Sequence, residues 1–135
     1  MRVVADSHAL VRYLVDPKRL SEPAVEALLA AEDSGGVVVS VATLGDLWYA
    51  SQKTSSPPVA PGVFEIVWET TLDPSTNLVF HPISTDTMMH FDAVPLNDLR
   101  EPFDRFIVAT AAQLDAPLVT ADRAISRTGT IEIIW

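Results

Sequence analysis

The sequence predicts an α/β domain built on a mostly parallel central sheet of about five strands flanked by helices. Short β-branched runs alternate with segments of helical periodicity from one end of the chain to the other. Hydrophobic residues make up 48% of the chain and mean hydropathy is +0.23, as expected for a sheet buried on both faces. No internal repeat or low-complexity segment interrupts the alternation, and 135 residues suffice for one domain, residues 1–135, with a real core.

The elements follow in order. "RVVA" at residues 2–5 is a first buried strand. In "SHALVRYLV", Leu10, Tyr13 and Leu14 recur at helical spacing. "SEPAVEALLAAEDSGG" is a helix with Ser21 as N-cap, Pro23 in its first turn and Gly35 as its stop. "VVVSV" at 37–41 is the second strand. "ATLGDLWYASQK", from Ala42 to Lys53, is a helix with Leu44, Leu47 and Trp48 turned inward, and "SSPPVAPG" at 55–62 is a loop. Residues 63–72 are helical and "NLVFHPI" is the third strand. "STDTMMHFDAV" holds a short helix capped by Ser84 or Thr85. "PFDRFIVATAAQLD" is a helix with Pro102 in its first turn. "PLVTA" is the fourth strand and "TIEIIW" the fifth.

Charge excludes some functions. The formal net charge is -9, and such a surface repels polyanions. Any nucleic-acid chemistry therefore needs cations to bridge carboxylates and phosphates. The absence of cysteine excludes a disulfide framework, a thiolate zinc site and a cysteine nucleophile. "MRVVADSHAL" is too short an apolar run for a signal peptide, and no stretch approaches the ~20 apolar residues of a membrane span. A cytoplasmic protein is the expectation. Between Lys53 and Arg100 there is no Lys or Arg, but there are six acids: Glu65, Glu69, Asp73, Asp86, Asp92 and Asp98. They form either a solvated face or a docking surface for a basic partner.

No phosphate-binding loop, G-x-G-x-x-G turn or G-x-S-x-G elbow is present, and His8, His81 and His90 show no ligand pairing. His81 and His90 suit structural roles, and His8 suits local packing or support. The positive signal is carboxylates at strand ends. Asp6 follows the first strand and Asp122 the fourth, and sites in open α/β sheets form outside the carboxyl ends of strands. Each is equally suited to cap the next helix. Asp46 follows Gly45 inside a helix, two poor formers side by side, which points to a constraint other than helix stability. Glu101 and Asp104 flank a helix start, where acids meet free N–H groups. Asp104 also shares a face with Val108 and Ala111, which turns it inward, and a buried carboxylate needs a partner or a metal. Converging carboxylates with no matching base predict a hard cation such as Mg²⁺ or Mn²⁺.

Five pieces in order, "VVADSHALVRYL", "DPKRLSEPAVEALLA", "VVVSVATLGDLWYA", "PLNDLREPFDRFIVATAAQLDAPLVTADRAI" and "IEIIW", span nearly the whole chain. Together they resemble a PIN-domain ribonuclease of the VapC toxin type, whose fold is a three-layer α/β domain. The resemblance implies an Mg²⁺- or Mn²⁺-dependent endoribonuclease leaving a 5′-phosphate and a 3′-hydroxyl. It places the catalytic and metal-binding acids at Asp6, Asp46, Asp104 and Asp122. Glu101 falls on an accessory acid and Thr120 on the hydroxyl residue before the last acid. Ser7 stands where Thr is usual, Gly45 where Trp is common, Asp46 where Glu is usual and Glu101 where Asp is usual. The Asp46 and Glu101 changes each move a carboxylate by ~1 Å, which matters for octahedral Mg²⁺. Gly45 would let its helix approach closely enough for Asp46 to reach the site. Arg105 is either a phosphate contact or a surface charge. The implied partners are RNA, a second copy of the chain, and a VapB-like antitoxin with a basic C-terminal tail that covers the site. The alternatives are a catalytically weakened PIN-fold module that binds a basic partner, and a metal-dependent phosphatase acting on small esters.

Overall fold

The structure, a computed structural model, describes residues 1–52 and 60–135. The expected helix end at Lys53 and most of the expected loop at 55–62 lie outside the described residues. The strands are β1 (Val3–Ala5), β2 (Val37–Ser40), β3 (Leu78–His81), β4 (Leu118–Val119) and β5 (Ile133–Ile134). The helices are α1 (Ser7–Val15), α2 (Glu22–Glu32), α3 (Val41–Ser51), α4 (Val63–Leu72), α5 (Thr85–Met88), α6 (Pro102–Leu114) and α7 (Arg123–Ser126). A 3-10 turn at Pro17–Arg19 joins α1 to α2.

The strands form one sheet in the order β3-β2-β1-β4-β5, and every pairing is parallel. The order reverses between β1 and β4, so a crevice opens at their carboxyl ends. Register there is set by Ala5 opposite Val119, and one more residue along brings Asp6 beside Thr120. Side chains alternate through the sheet. Val3, Ala5, Val37, Val39 and Val119 face a core shared with α1, α2 and α4. Val4, Val38 and Leu118 face a second core built on Ile107, Val108 and Ala111 of α6. Helices, sheet and helices make three layers, and continuous burial of β1 and β2 explains their unbroken β-branched runs.

Most boundaries follow the sequence signals. Ser21 caps α2, its hydroxyl accepting from the Ala24 N–H at 3.2 Å. Ser84 precedes α5 and its N–H donates to Thr87 Oγ1 at 3.2 Å. Two expectations need correction. Trp48 is 47% exposed rather than inward, and packs edge-on against Tyr49, while Leu47 takes the core position. The left-handed residue after α2 is Gly36, with φ 100°, not Gly35. Gly35 has a different task. A Cβ there would lie 2.4 Å from the Arg2 backbone N and 2.7 Å from the Met1 carbonyl carbon. Only a bare backbone lets this turn run against the chain leading into β1. Gly35→Ala is therefore expected to destabilise by roughly 2 kcal/mol, lowering Tm on the order of 5–10 °C in a thermal melt. An unchanged Tm would show that the turn relaxes freely.

Candidate active site

The crevice at the β1–β4 reversal collects the acids. Asp6 leaves the end of β1 and is 6% exposed. Its Oδ1 accepts the Ala9 N–H at 2.7 Å, capping α1, and its Oδ2 accepts the Thr120 hydroxyl. Its own N–H donates to the Val119 carbonyl at 3.1 Å, extending the β1–β4 ladder. Thr120 is fully buried, and its Oγ1 also accepts the Asp122 N–H at 3.0 Å. One hydroxyl thus ties the two strand-end acids together. Asp122 Oδ1 accepts from the Ala124 N–H at 2.8 Å and caps α7. For both aspartates the cap and the crevice position coincide.

Glu101 is exposed, and its Oε2 accepts the Asp104 N–H at 2.7 Å, capping α6. Asp104 is half-buried, one turn before the buried Val108. Burial, then the charges of Glu101, Asp122, Asp46 and Asp6, push its carboxyl up to about 7. Asp46, half-buried on α3, is near enough for its charge to reach Asp104. Burial also raises the Asp6 carboxyl, against the hydrogen bonds from Thr120 and Ala9 and the nearby His8 ring; the Asp122 charge adds to the rise. The arrangement gathers Asp6, Asp46, Asp104, Asp122 and Glu101 within reach of one another's charge, and among the described residues no cation pairs with them.

The family model of the PIN domain matches residues 3–131. The chain belongs to the PIN domain family. Among solved structures, a chain of VapBC2 from Rickettsia felis bound to a promoter DNA fragment superposes with a TM-score of 0.69 at 14% identity, covering 98% of this chain and 97% of that one. DNA-bound VapBC from Salmonella typhimurium gives 0.68 at 19% identity, covering 98% and 96%. VapBC-5 from Mycobacterium tuberculosis gives 0.60 at 17% identity, covering 98% and 97%. At such identities the likeness shows a shared fold. No curated protein matches in sequence.

The donor set of this PIN domain suits a hard cation. Every candidate ligand is a carboxylate or hydroxyl oxygen. The raised Asp104 carboxyl marks negative charge that a cation would relieve. Among the described residues no three acids already stand as a ready ligand cluster. Mg²⁺ does not require one, because it keeps several waters and takes one or two carboxylates directly.

Gly45 marks a close approach of two helices. A Cβ at Gly45 would lie 2.8 Å from Phe103 Cε1, so α3 and α6 approach through this missing side chain. Phe103 also packs on Tyr49, with ring centroids 5.7 Å apart. Ser7 is buried, and its Oγ has no hydrogen-bond partner among the described residues. His8 is exposed on the crevice wall rather than packed. His81 is structural, its Nε2 3.3 Å from Gln113 Oε1.

Arg105 is not a surface charge. It is buried, and its guanidinium donates to the carbonyls of Phe91, Val94, Pro95 and Leu99 while lying over the Phe91 ring. With its donors on these carbonyls, it clamps the irregular segment that leads into α6. The signal in the sequence is that segment itself: "FDAVPLNDL" carries carbonyls with no ladder of their own, and buried carbonyls require a donor. A cavity of about 200 Å³ beside Asp6 and Asp122, walled by His8, Arg12 and Trp135, was not foreseen either. The larger cavity, about 480 Å³, opens at the amino ends of β4 and β5 and holds none of the clustered acids.

Two outcomes follow from this geometry. Folded Asp104 keeps its proton up to about pH 7, whereas the unfolded chain releases it near 3.8. Between those values the folded state binds more protons, so this group costs stability as pH rises. In EDTA, Asp104→Asn should raise Tm relative to wild type at pH 8 and leave it nearly unchanged at pH 4. An equal shift at both pH values would show that Asp104 is not held in its acid form. Gly45→Ala gains roughly 1 kcal/mol of helix propensity but must displace Phe103. Its Tm should stay within a few degrees of wild type, while any activity that needs Asp46 falls about tenfold. Unchanged activity would detach the close helix approach from the site.

Proposed function

We propose that this PIN domain is the nuclease of a toxin–antitoxin pair and cuts RNA phosphodiester bonds with the help of Mg²⁺ or Mn²⁺. The observation that carries this reading is the gathering of acids at the β1–β4 reversal: Thr120 links Asp6 to Asp122, and burial, then the charges of Glu101, Asp122, Asp46 and Asp6, push the Asp104 carboxyl up to about 7. Clustered, partly buried acids with perturbed ionisation suit catalysis better than stability. Asp6, Asp104 and Asp122 would hold the ion, with Asp46 in direct or water-bridged contact. Bound there, it supplies an activated water and screens the phosphate charge. The chain's own residues do the rest. Thr120 fixes the spacing of Asp6 and Asp122, Glu101 fixes the first turn of α6, and Arg105 anchors the segment before it.

The toxin–antitoxin context draws on the structural neighbours, one of which is described as a member of the VapBC family of toxin-antitoxin systems. The partner in this reading is a VapB-like antitoxin whose basic C-terminal tail enters the acidic crevice. The six acids between Lys53 and Arg100 are all exposed and offer such a tail further complementary charge. The chain would act as a homodimer in the cytoplasm; no helix among the described residues is long and apolar enough to cross a membrane.

A second reading, a weakened PIN-fold module that only binds a basic partner, rests on the lack of a ready three-acid cluster among the described residues. One experiment separates the two. With Mg²⁺ or Mn²⁺ the wild type should cleave single-stranded RNA, EDTA should abolish cleavage, and Asp104→Asn should lose on the order of 100-fold or more. Equal cleavage by both proteins, or cleavage that survives EDTA, would sink the nuclease assignment. No cleavage and no Mn²⁺ affinity, with tight binding of a basic peptide, would favour the module.

A further inference from the structure

Asp6 and Asp122 form one wall of the 200 Å³ cavity; His8, Ala9, Arg12, Ala121 and Trp135 complete it. The cavity therefore includes two of the proposed catalytic acids. The rest of its lining differs from them in chemistry. The Arg12 guanidinium lies over the Trp135 ring, 5.6 Å from its centroid. Trp135 is 37% exposed, so part of its indole remains open to solvent. Arg12 is half-buried and lies in the last turn of α1, the helix that Asp6 caps. In a chain of net charge -9, a cation and an aromatic face beside clustered acids form a distinct recognition surface. Arg105 spends its charge on backbone carbonyls; Arg12 places its charge on a cavity wall.

We propose that this cavity seats the nucleotide next to the bond that is cut, with Trp135 stacking its base and Arg12 holding its phosphate. This rests on the nuclease reading and supplies what that reading lacks, a place for substrate on an acidic surface. A guanidinium matches phosphate with two parallel N–H donors, and an indole accepts any base face. The cavity's small volume suits one nucleotide unit rather than a duplex. His8, exposed on the same wall, adds a ring nitrogen within the cavity. Recognition by stacking is tolerant of base identity, so the site selects single-stranded over paired RNA rather than one sequence.

Binding can be read without turnover. In the Asp104→Asn chain with Mg²⁺, a short fluorescein-labelled single-stranded RNA is titrated by anisotropy. Adding Arg12→Ala or Trp135→Ala should each weaken binding on the order of 10-fold, and Trp135→Phe should recover most of the loss. Arg12→Ala should also reduce the slope of log affinity against log salt by about 0.7, and Trp135→Ala should leave that slope unchanged. With Asp104 intact, both changes should raise KM and leave kcat within about threefold. Circular dichroism checks folding, and Trp135→Leu, which keeps apolar volume without an aromatic face, replaces Trp135→Ala if that variant is misfolded. RNA affinity unchanged in folded Arg12 and Trp135 variants overturns the nucleotide site, and Asp104-dependent cleavage would then stand without it. RNA bound by none of these proteins, with no cleavage by wild type, overturns both. A peptide that occupies the cavity while RNA affinity ignores both variants overturns the site in favour of a protein partner.

Discussion

A nearly buried aspartate at the end of a central strand must find donors, and the fold is arranged around that requirement at Asp6. An ionised carboxylate taken out of water costs several kcal/mol unless hydrogen bonds replace its hydration. Asp6 has two such bonds: the Ala9 N–H at the start of α1 and the Thr120 hydroxyl at the end of β4. The first is local to the start of α1, and the second exists only because β1 and β4 are neighbours in register, which is also where the strand order reverses. Thr120 then accepts the Asp122 N–H, so the position of the next acid follows from the same hydroxyl. Sheet topology, helix capping and acid spacing are in this way one constraint.

The acids differ in how their charge is met, and the difference singles out Asp104. Asp6, Glu101 and Asp122 each sit at a helix start and accept backbone N–H groups that would otherwise lack a partner. Asp104 lies inside α6, past the cap, and among the described residues no hydrogen bond offsets its burial and the four surrounding acids. Its raised carboxyl reflects burial first and then the charges of those four acids. Arg105, the next residue, is a buried cation, yet its donors are directed to the carbonyls of Phe91, Val94, Pro95 and Leu99. The chain thus uses its nearest positive group to hold the backbone leading to Asp104 and leaves the carboxylates for something else.

The alternation of β-branched runs and helical spacing was enough to read the five strands and most helices, because a parallel sheet buried on both faces leaves that pattern in sequence. The acids at Asp6 and Asp122 were legible as strand-end residues, although whether each was a cap or a site residue was not. In the structure both are caps, and a cap at the carboxyl end of a parallel strand lies at the crevice, so the two roles do not exclude each other. Trp48 was misread because helical spacing gives an apolar face, and Leu47 occupies its centre while Trp48 lies past its edge against Tyr49. Gly35 and Gly36 divide between them the close approach and the left-handed turn, a division that needs the path of β1. The individual contacts of Arg105 and of the Arg12–Trp135 pair were beyond reach for a common reason. Their partners are ten or more residues away in sequence, or are backbone carbonyls that carry no residue identity.

The separation of charge sharpens the problem an acidic chain meets when its partner is a polyanion. Carboxylates that gather a cation also repel phosphate, and at short range in a partly buried crevice salt screens that repulsion weakly. A cation held among the acids would reverse the sign locally, but only at the scissile phosphate. The neighbouring phosphate needs its own positive group, placed beyond the acids and not neutralised by them. Arg12 meets that condition: it is on the helix that Asp6 caps, and it is set against an indole face rather than a carboxylate. A guanidinium stacked on an aromatic ring keeps its edge donors available, because the ring engages its face. In the proposed nuclease the acids and the Arg12–Trp135 pair would divide the work, one set positioning the reacting phosphate and the other holding the strand in place beside it.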